Sequence, residues 1–232
     1  MISSLASYIL SNKTLDDSSF SALLCRVPPE KRTSILAFQG QHERQLRLLA
    51  ALLVRIYACN LLGRPNSALR FAVGPHGKPY LTDAPTFHYS LSHTRGALLV
   101  AVHNREIGVD IERYRTLREK VVRRFFSPTE QAYIFEDDEE QDLRTLELWT
   151  RKESYAKLLG IGLPSAFAEA DTLRPGFPAH FYTKRLQNHV LTVCAREQEV
   201  CDISIQALAL EEAVERMLLL SPIEDAERGP AL

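Results

Sequence analysis

The stretch IGVDIE, Ile107–Glu112, decides the fold around it. Its apolar residues, at 107, 109 and 111, alternate with a glycine and two acidic residues. A β-strand has a side-chain period of two, so the pattern predicts a strand with one apolar face. Asp110 and Glu112 then point from the opposite face, beside Gly108, which admits another group closely. Two carboxylates on adjacent same-side positions of a strand form half of a site for a hard cation.

About forty residues later, the segment WTRKESYAK, Trp149–Lys157, supplies a matching half. On a helix Trp149, Glu153 and Lys157 lie four residues apart along one face. A third carboxylate and an ammonium group therefore face the same point. An oxygen-ligated divalent metal, with a lysine nearby to receive negative charge, indicates phosphate chemistry.

Each of these patterns also has a plain structural interpretation. Asp110 and Glu112 fit the solvated face of a half-buried strand, and Glu153 with Lys157 fits an ordinary i,i+4 helix pair. Glu130 closes a capping box in the segment FFSPTE, residues 125–130, which begins a helix with Ser as N-cap and Pro at the first helical position. Glu130 is therefore either a helix cap or an active-site carboxylate.

Composition describes an ordinary globular protein. The chain has 232 residues, 45% hydrophobic and 25% charged, with 28 basic against 29 acidic side chains. One compact body and two lobes are both compatible with this length. Near-neutral charge excludes the broad basic surface of a dedicated nucleic-acid binder. The four cysteines lack zinc-site spacing, and no signal peptide or apolar run of spanning length is evident, so we expect a cytoplasmic protein with reduced thiols and no membrane segment.

Periodicity and turn residues divide the chain into mixed helices and strands. The predicted helices are Glu43–Leu62 and the segment around Trp149, which stops near Gly160. The predicted strands are Phe87–Leu91, Ala97–Val102, Ile107–Glu112, His189–Ala195 and Asp202–Leu208, the last two in a second sheet. We place a lobe boundary in the turn His103–Glu106, which gives lobes of residues 1–104 and 105–232.

Several motifs occur together, in a characteristic order, from about Pro29 to Leu163. They are Lys31, Gly77-Lys78-Pro79, Ser92-His93, Gly108–Glu112, Phe125-Phe126-Ser127 with Glu130, and Trp149 with Lys152, Glu153 and Lys157. This set resembles the 4′-phosphopantetheinyl transferases of the surfactin-synthetase-activating type, which are holo-acyl and holo-peptidyl carrier protein synthases.

The resemblance implies a fold and a reaction. The fold is α+β, a pseudo-dimer of two similar α+β lobes with coenzyme A in the cleft between them. Such enzymes transfer the 4′-phosphopantetheine arm of coenzyme A to a serine hydroxyl of an apo acyl or peptidyl carrier protein and release 3′,5′-ADP. The first lobe contacts the adenine and the 3′-phosphate, and the second provides the metal carboxylates and the catalytic helix.

The resemblance also implies residue roles. Asp110, Glu112 and Glu153 are the ligands of Mg²⁺, with Mn²⁺ as an alternative metal. Glu153 is the candidate base, directly or through a bound water, and Lys157 binds coenzyme A and stabilises the departing nucleotide. Glu130 is the third catalytic candidate. The remaining coenzyme A contacts are Lys31, Arg47, Lys78, Pro79, Ser92 and His93.

Two positions depart from the family pattern. An arginine that grips the 3′-phosphate falls in register on Leu46, and we assign its role to the neighbouring Arg47, with Arg44 as the alternative. A second basic residue, common three positions after Lys31, is Ser34 here. Lys31, Arg47 and His93 are then left to hold the 3′-phosphate.

Partners and competing functions stay open at this point. A carrier protein presents an acidic helix, which the basic residues Arg118, Lys120, Arg123 and Arg124 match; a solvated basic helix face is the alternative. A Mg²⁺-dependent phosphohydrolase of a small nucleotide would use the same carboxylates. A non-catalytic carrier-binding relative is the third possibility. We expect a monomer with no nucleic-acid or membrane partner.

Overall fold

The computed structural model describes residues 5–161, 170–196 and 205–224, which form an α+β fold. The strands are β1 Leu5–Leu10, β2 Phe71–Val73, β3 Pro79–Leu81, β4 His88–Thr94, β5 Ala97–His103, β6 Ile107–Arg113, β7 His180–Arg185, β8 His189–Ala195 and β9 Ile205–Ala207. The α-helices are α1 Asp17–Leu24, α2 Pro29–Leu36, α3 Gln41–Leu62, α4 Glu119–Phe125, α5 Pro128–Phe135, α6 Gln141–Leu159 and α7 Leu210–Leu218.

The first sheet has the strand order β4-β5-β1-β9, and α3 packs on it. The helix predicted from Glu43 begins at Gln41 and ends at Leu62, before Gly63, as its apolar stripe requires. By length and composition α3 is apolar enough to cross a membrane, but most of it is buried in the core of this sheet. Its apolar character is therefore that of a core helix here.

The second sheet has the order β6-β8-β7, with all pairs antiparallel. Strand β6 confirms the prediction from the IGVDIE pattern. Its apolar residues, Ile107, Val109 and Ile111, are at most 1% exposed and share a core cluster with Leu99 and Ala101 of β5. The two sheets therefore pack together through this apolar face, while α6 covers the opposite face of β6.

The last described strand and helix pack on the first sheet, which corrects one prediction. β9 pairs in parallel with Ala6–Tyr8 of β1, so the strand predicted over Asp202–Leu208 does not belong to the second sheet; residues 202–204 lie outside the described ranges. Leu210, Ala213 and Met217 of α7 are buried in the α3 core. Residues 205–220, which follow the predicted boundary at 104/105, thus pack on the first sheet and on α3.

Strand β4 extends further than predicted. Ser92 and His93 lie within it and pair with Leu99 and Leu98 of β5, where the sequence pattern indicated a loop. The hairpin turn is shorter and contains Gly96, whose φ of +78° is strained for other residues. Adjacent residues of a strand face opposite sides, so Ser92 and His93 reach two different surroundings.

Candidate active site

Helix α6 approaches strand β6 at Gly108 more closely than any side chain would permit. A Cβ atom there would lie 1.9 Å from the backbone oxygen of Ser154 and 2.5 Å from the backbone nitrogen of Leu158. The glycine thus admits the helix backbone itself. This contact sets the position of Glu153 and Lys157 relative to Asp110 on the strand.

Asp110 is the centre of the resulting cluster. Its Oδ1 accepts hydrogen bonds from the Lys157 ammonium at 2.8 Å and from the Ser92 hydroxyl at 2.7 Å. The side chain is 4% exposed, and its Oδ2 has no hydrogen-bond partner among the described residues. A buried carboxylate oxygen without a partner is costly, and it is suited to a donor or cation from a ligand.

Glu112 and Glu153 lie close enough to Asp110 to interact with its charge. Burial, and then the negative charge of Asp110, raises the pKa of Glu153 to about 8, although Lys157 opposes the shift. Burial and Asp110 likewise raise the pKa of Glu112. The charge of Asp110 thus helps raise the pKa of both glutamates, and a cation bound beside them would offset this repulsion.

The three carboxylates are neighbours without converging as a closed set of ligands. Within residues 5–161, 170–196 and 205–224, no three histidine, cysteine, aspartate or glutamate side chains form a group able to hold a metal ion. Glu112 Oε1 instead lies 3.5 Å from Arg115, while Asp110 pairs with Lys157. Their donor atoms are all carboxylate oxygens, and Asp110 Oδ2 has no hydrogen-bond partner among the described residues. Both features nevertheless fit a hard divalent cation.

A second cluster lies where the start of α3 meets β4. Glu43 Oε1 accepts a hydrogen bond from Arg47 Nε at 2.6 Å and lies 3.1 Å from His93 Nε2. Partial burial opposes it, but these bonds hold the pKa of Glu43 below its usual value. Burial, Arg47 and Arg55 lower the pKa of Lys31. Three predicted 3′-phosphate residues, Lys31, Arg47 and His93, are thus brought near one another.

Glu43 is the member of this cluster that sequence reasoning missed. Its i,i+4 spacing from Arg47 on a predicted helix was the available signal. The alternative residue Arg44 turns away and donates from its Nε to the backbone oxygen of Phe38 at 2.6 Å. Arg47 is therefore the arginine that shares an acceptor with His93.

The loop between β2 and β3 reaches the end of the catalytic helix. Lys78 Nζ donates to the backbone oxygen of Leu158 at 2.7 Å, and its side chain lies against Gly160, which ends α6 with a φ of +68°. Pro79 opens β3 directly afterwards. Burial lowers the pKa of Lys78. The predicted coenzyme A residues of this loop thus contact the helix that bears Glu153.

Glu130 occupies a different place from the Asp110 cluster. It is fully buried and forms the predicted capping box with Ser127. Its Oε2 lies 2.8 Å from Lys152 Nζ, and its Oε1 accepts hydrogen bonds from the backbone and hydroxyl of Thr172. Among the contacts described, none joins Glu130 to Asp110, Glu112 or Glu153. These donors enclose the carboxylate and fit the helix-cap alternative, while the catalytic role of Glu130 stays a prediction.

Trp149 and the basic residues of α4 take up the space beside this pair. Trp149 packs edge-on to Phe125, with ring centroids 6.2 Å apart. On the exposed side Arg123 pairs with Glu119, and the Arg124 guanidinium lies over the Phe125 ring. The aromatic contact therefore packs the end of α4 against α6.

Comparison with known proteins matches both halves of the chain. Residues 106–203 match the model of the 4′-phosphopantetheinyl transferase superfamily, and residues 14–105 match that of the 4′-phosphopantetheinyl transferase N-terminal region. The 4′-phosphopantetheinyl transferase Sfp of Bacillus subtilis strain 168 is 30% identical over 156 residues, which cover 67% of this chain and 70% of that protein. The chain belongs to the 4′-phosphopantetheinyl transferase superfamily, a family of enzymes.

Other members of the superfamily match over comparable lengths. A 4′-phosphopantetheinyl transferase of Bacillus subtilis is 31% identical over 142 residues, 61% of this chain and 63% of that protein. The L-aminoadipate-semialdehyde dehydrogenase-phosphopantetheinyl transferase of Saccharomyces cerevisiae is 25% identical over 208 residues, 77% of this chain and 75% of its own length. The matched region thus spans somewhat under two thirds of the first relative and three quarters of the second.

Proposed function

We propose that this superfamily member transfers the 4′-phosphopantetheine arm of coenzyme A to a serine hydroxyl of an apo acyl or peptidyl carrier protein, with release of 3′,5′-ADP and dependence on Mg²⁺. The observation that carries the proposal is the approach of α6 to β6 at Gly108. It brings Glu153 and Lys157 to Asp110, whose buried Oδ2 has no hydrogen-bond partner among the described residues.

Asp110, Glu112 and Glu153 are the residues proposed to hold the metal. Only carboxylate oxygens contribute, which favours Mg²⁺ and also accommodates Mn²⁺. When bound, a divalent cation neutralises pyrophosphate oxygens that would otherwise repel the incoming nucleophile. Removal of the mutual repulsion among the carboxylates, evident in the raised pKa values of Glu112 and Glu153, is a further gain from binding it.

The side chains of the cluster account for the proton and the leaving group. The serine oxygen forms a bond to the β-phosphorus of coenzyme A while the bond from that phosphorus to the bridging oxygen breaks. The serine proton needs an acceptor, and the Glu153 carboxylate, directly or through a bound water, is the proposed base. Lys157, now paired with Asp110, supplies positive charge to the departing 3′,5′-ADP.

Binding of the remote end of coenzyme A is assigned to the first sheet and its helices. Lys31, Arg47 and His93 are proposed to hold the 3′-phosphate, for which Glu43 keeps Arg47 and His93 oriented. Ser92 supports Asp110 from the other face of β4. Lys78 and Pro79 are proposed to contact the adenine and phosphates beside the end of α6.

We propose that the two sheets, each with a long helix, make a pseudo-dimer of similar lobes with the active site in the cleft between them. The exchange of α7 and β9 into the first sheet does not alter this proposal. One chain then provides both walls of the cleft, so a cytoplasmic monomer is expected to suffice.

The test is incubation with coenzyme A, Mg²⁺ and a panel of apo carrier proteins, followed by intact-mass measurement. At least one carrier is expected to gain one phosphopantetheine. Release of phosphate or ADP from free nucleotides without carrier modification would instead support a phosphohydrolase. Carrier binding without turnover, in the presence of intact Asp110 and Glu153, would support a non-catalytic relative.

A further inference from the structure

Arg55 on α3 is a buried cation whose hydrogen-bonding capacity is unused. The residue is 2% exposed, and neither of its terminal nitrogens, Nη1 and Nη2, has a hydrogen-bond partner among the described residues. Its guanidinium lies over the Phe71 ring at 5.1 Å, and Phe71 packs edge-on to Tyr89. The face of the Phe71 ring compensates only part of the guanidinium charge. The lack of hydrogen bonds at Nη1 and Nη2 therefore still costs free energy.

Three exposed charged residues interact electrostatically with Arg55. Glu30, Lys31 and Arg70 all influence it electrostatically or are influenced by it, and all three are exposed. Burial lowers the pKa of Arg55 to about 10, so the side chain still carries its charge at neutral pH. The guanidinium is thus buried close enough to Lys31, a cation of the proposed nucleotide site, to help lower the pKa of that lysine.

The proposed 3′-phosphate site lacks one basic residue of the family pattern. Ser34 stands three residues after Lys31, where the family pattern commonly has a second basic side chain, and Ser34 is exposed. The Glu43 carboxylate lies against both Arg47 and His93 and offsets part of the arginine's charge. An anion held by Lys31 would therefore gain from a second cation whose hydrogen bonds are not already committed.

We propose that Arg55 is a specificity-determining residue of the coenzyme A site, where its guanidinium fork binds the ribose 3′-phosphate from below while Lys31 binds it from the surface. The proposal rests on the proposed function. A planar fork with two free nitrogens suits a phosphate oxygen pair better than a single ammonium does.

The test compares two nucleotides by titration calorimetry, 3′,5′-ADP and 5′-AMP, which differ by this phosphate. Wild-type protein is expected to prefer 3′,5′-ADP, and Arg55→Met to reduce that preference about 10- to 100-fold, the range for a charge-assisted bond. Arg55→Lys keeps the charge without the fork and is expected to lose part of the preference. Arg70→Met is the matched control, because Arg70 is an exposed neighbouring arginine bonded to backbone oxygens.

Thermal unfolding without ligand separates binding from structure. Arg55→Met is expected to unfold at the wild-type temperature or above, because it removes an unpaired buried charge. A marked fall in unfolding temperature, with equal weakening of both nucleotides, would make Arg55 structural and overturn the inference. Wild-type preference in Arg55→Met would also overturn it, while carrier modification by the wild type would leave the proposed function intact. A wild-type protein that binds neither nucleotide and modifies no carrier would overturn both.

Discussion

The Lys157 ammonium on α6 lies 2.8 Å from the Asp110 carboxylate on β6, and this ion pair joins the two elements of the candidate active site. Asp110 is almost fully buried, whereas Lys157 is about one third exposed. The lysine therefore compensates the buried charge while it still faces the open side of the site. A ligand that brings its own cation to Asp110 would free Lys157 for phosphate oxygens.

The contact at Gly108 predicts a sharp steric effect. We expect Gly108→Ala to destabilise the protein by about 1–3 kcal/mol and to abolish most transferase activity, because its Cβ would push the α6 backbone, and with it Glu153, away from Asp110. Urea unfolding and carrier modification measure the two effects. Gly74→Ala is the control, since its nearest atom lies 3.3 Å away. Full activity in Gly108→Ala would contradict the proposed geometry.

The Glu130–Lys152 pair predicts a loss of stability. We expect Glu130→Gln to lower the free energy of unfolding by about 3–5 kcal/mol, because it removes the carboxylate charge beside the buried Lys152 ammonium. Glu119→Gln breaks an exposed i,i+4 pair and should cost about 0.5 kcal/mol or less. Chemical denaturation of both variants measures the difference. A large loss of rate with unchanged stability would instead indicate that Glu130 acts in the active site.

The raised pKa of Glu153 predicts how stability depends on pH in a metal-free buffer. Between the ordinary carboxyl pKa and about 8, the folded protein binds a proton at Glu153 that the unfolded chain has released. The free energy of unfolding should therefore fall as pH rises through this window. Glu153→Gln should flatten the profile, and Glu139→Gln, at an exposed position, should not. A profile unchanged by Glu153→Gln would contradict the burial of this charge.

Binding and chemistry are expected to separate in two variants. Arg47→Ala should mainly raise KM for coenzyme A, and less so for dephospho-coenzyme A, which lacks the phosphate that Arg47 is proposed to hold. Glu153→Gln should lower kcat by orders of magnitude with either donor, since it removes a group that acts in the transition state. Steady-state kinetics with both donors form a cycle between residue and phosphate. Equal losses with both donors in Arg47→Ala would direct attention to Arg44.

The regular parts of this fold were predictable from local patterns. The alternation over Ile107–Glu112, the apolar stripe of α3 and the capping box at Ser127 each specify an element through its own residues. The partners of β9 and α7 were not predictable, because a strand of three residues carries no information about which sheet edge will accept it. Tertiary context decides such pairings.

The candidate site divides in the same way. Asp110, Glu153 and Lys157 follow from the period of a strand and of a helix, and the structure brings them together. Glu130 was ambiguous, because a capping box is complete without Lys152, whose approach depends on how α5 packs on α6. The unpaired state of Arg55 was likewise invisible, since burial and hydrogen-bond partners are properties of the folded chain.

The cluster around Asp110 is proposed to transfer phosphopantetheine to a carrier serine. Intact-mass measurement of one responsive apo carrier, incubated with coenzyme A and Mg²⁺, tests it most directly when wild-type protein is compared with Asp110→Asn and with a chelator-treated sample. We expect the wild-type protein to add one phosphopantetheine to the carrier and to release an equal amount of 3′,5′-ADP. We expect neither product in the other two samples. Undiminished modification by Asp110→Asn, or in the presence of chelator, would contradict it.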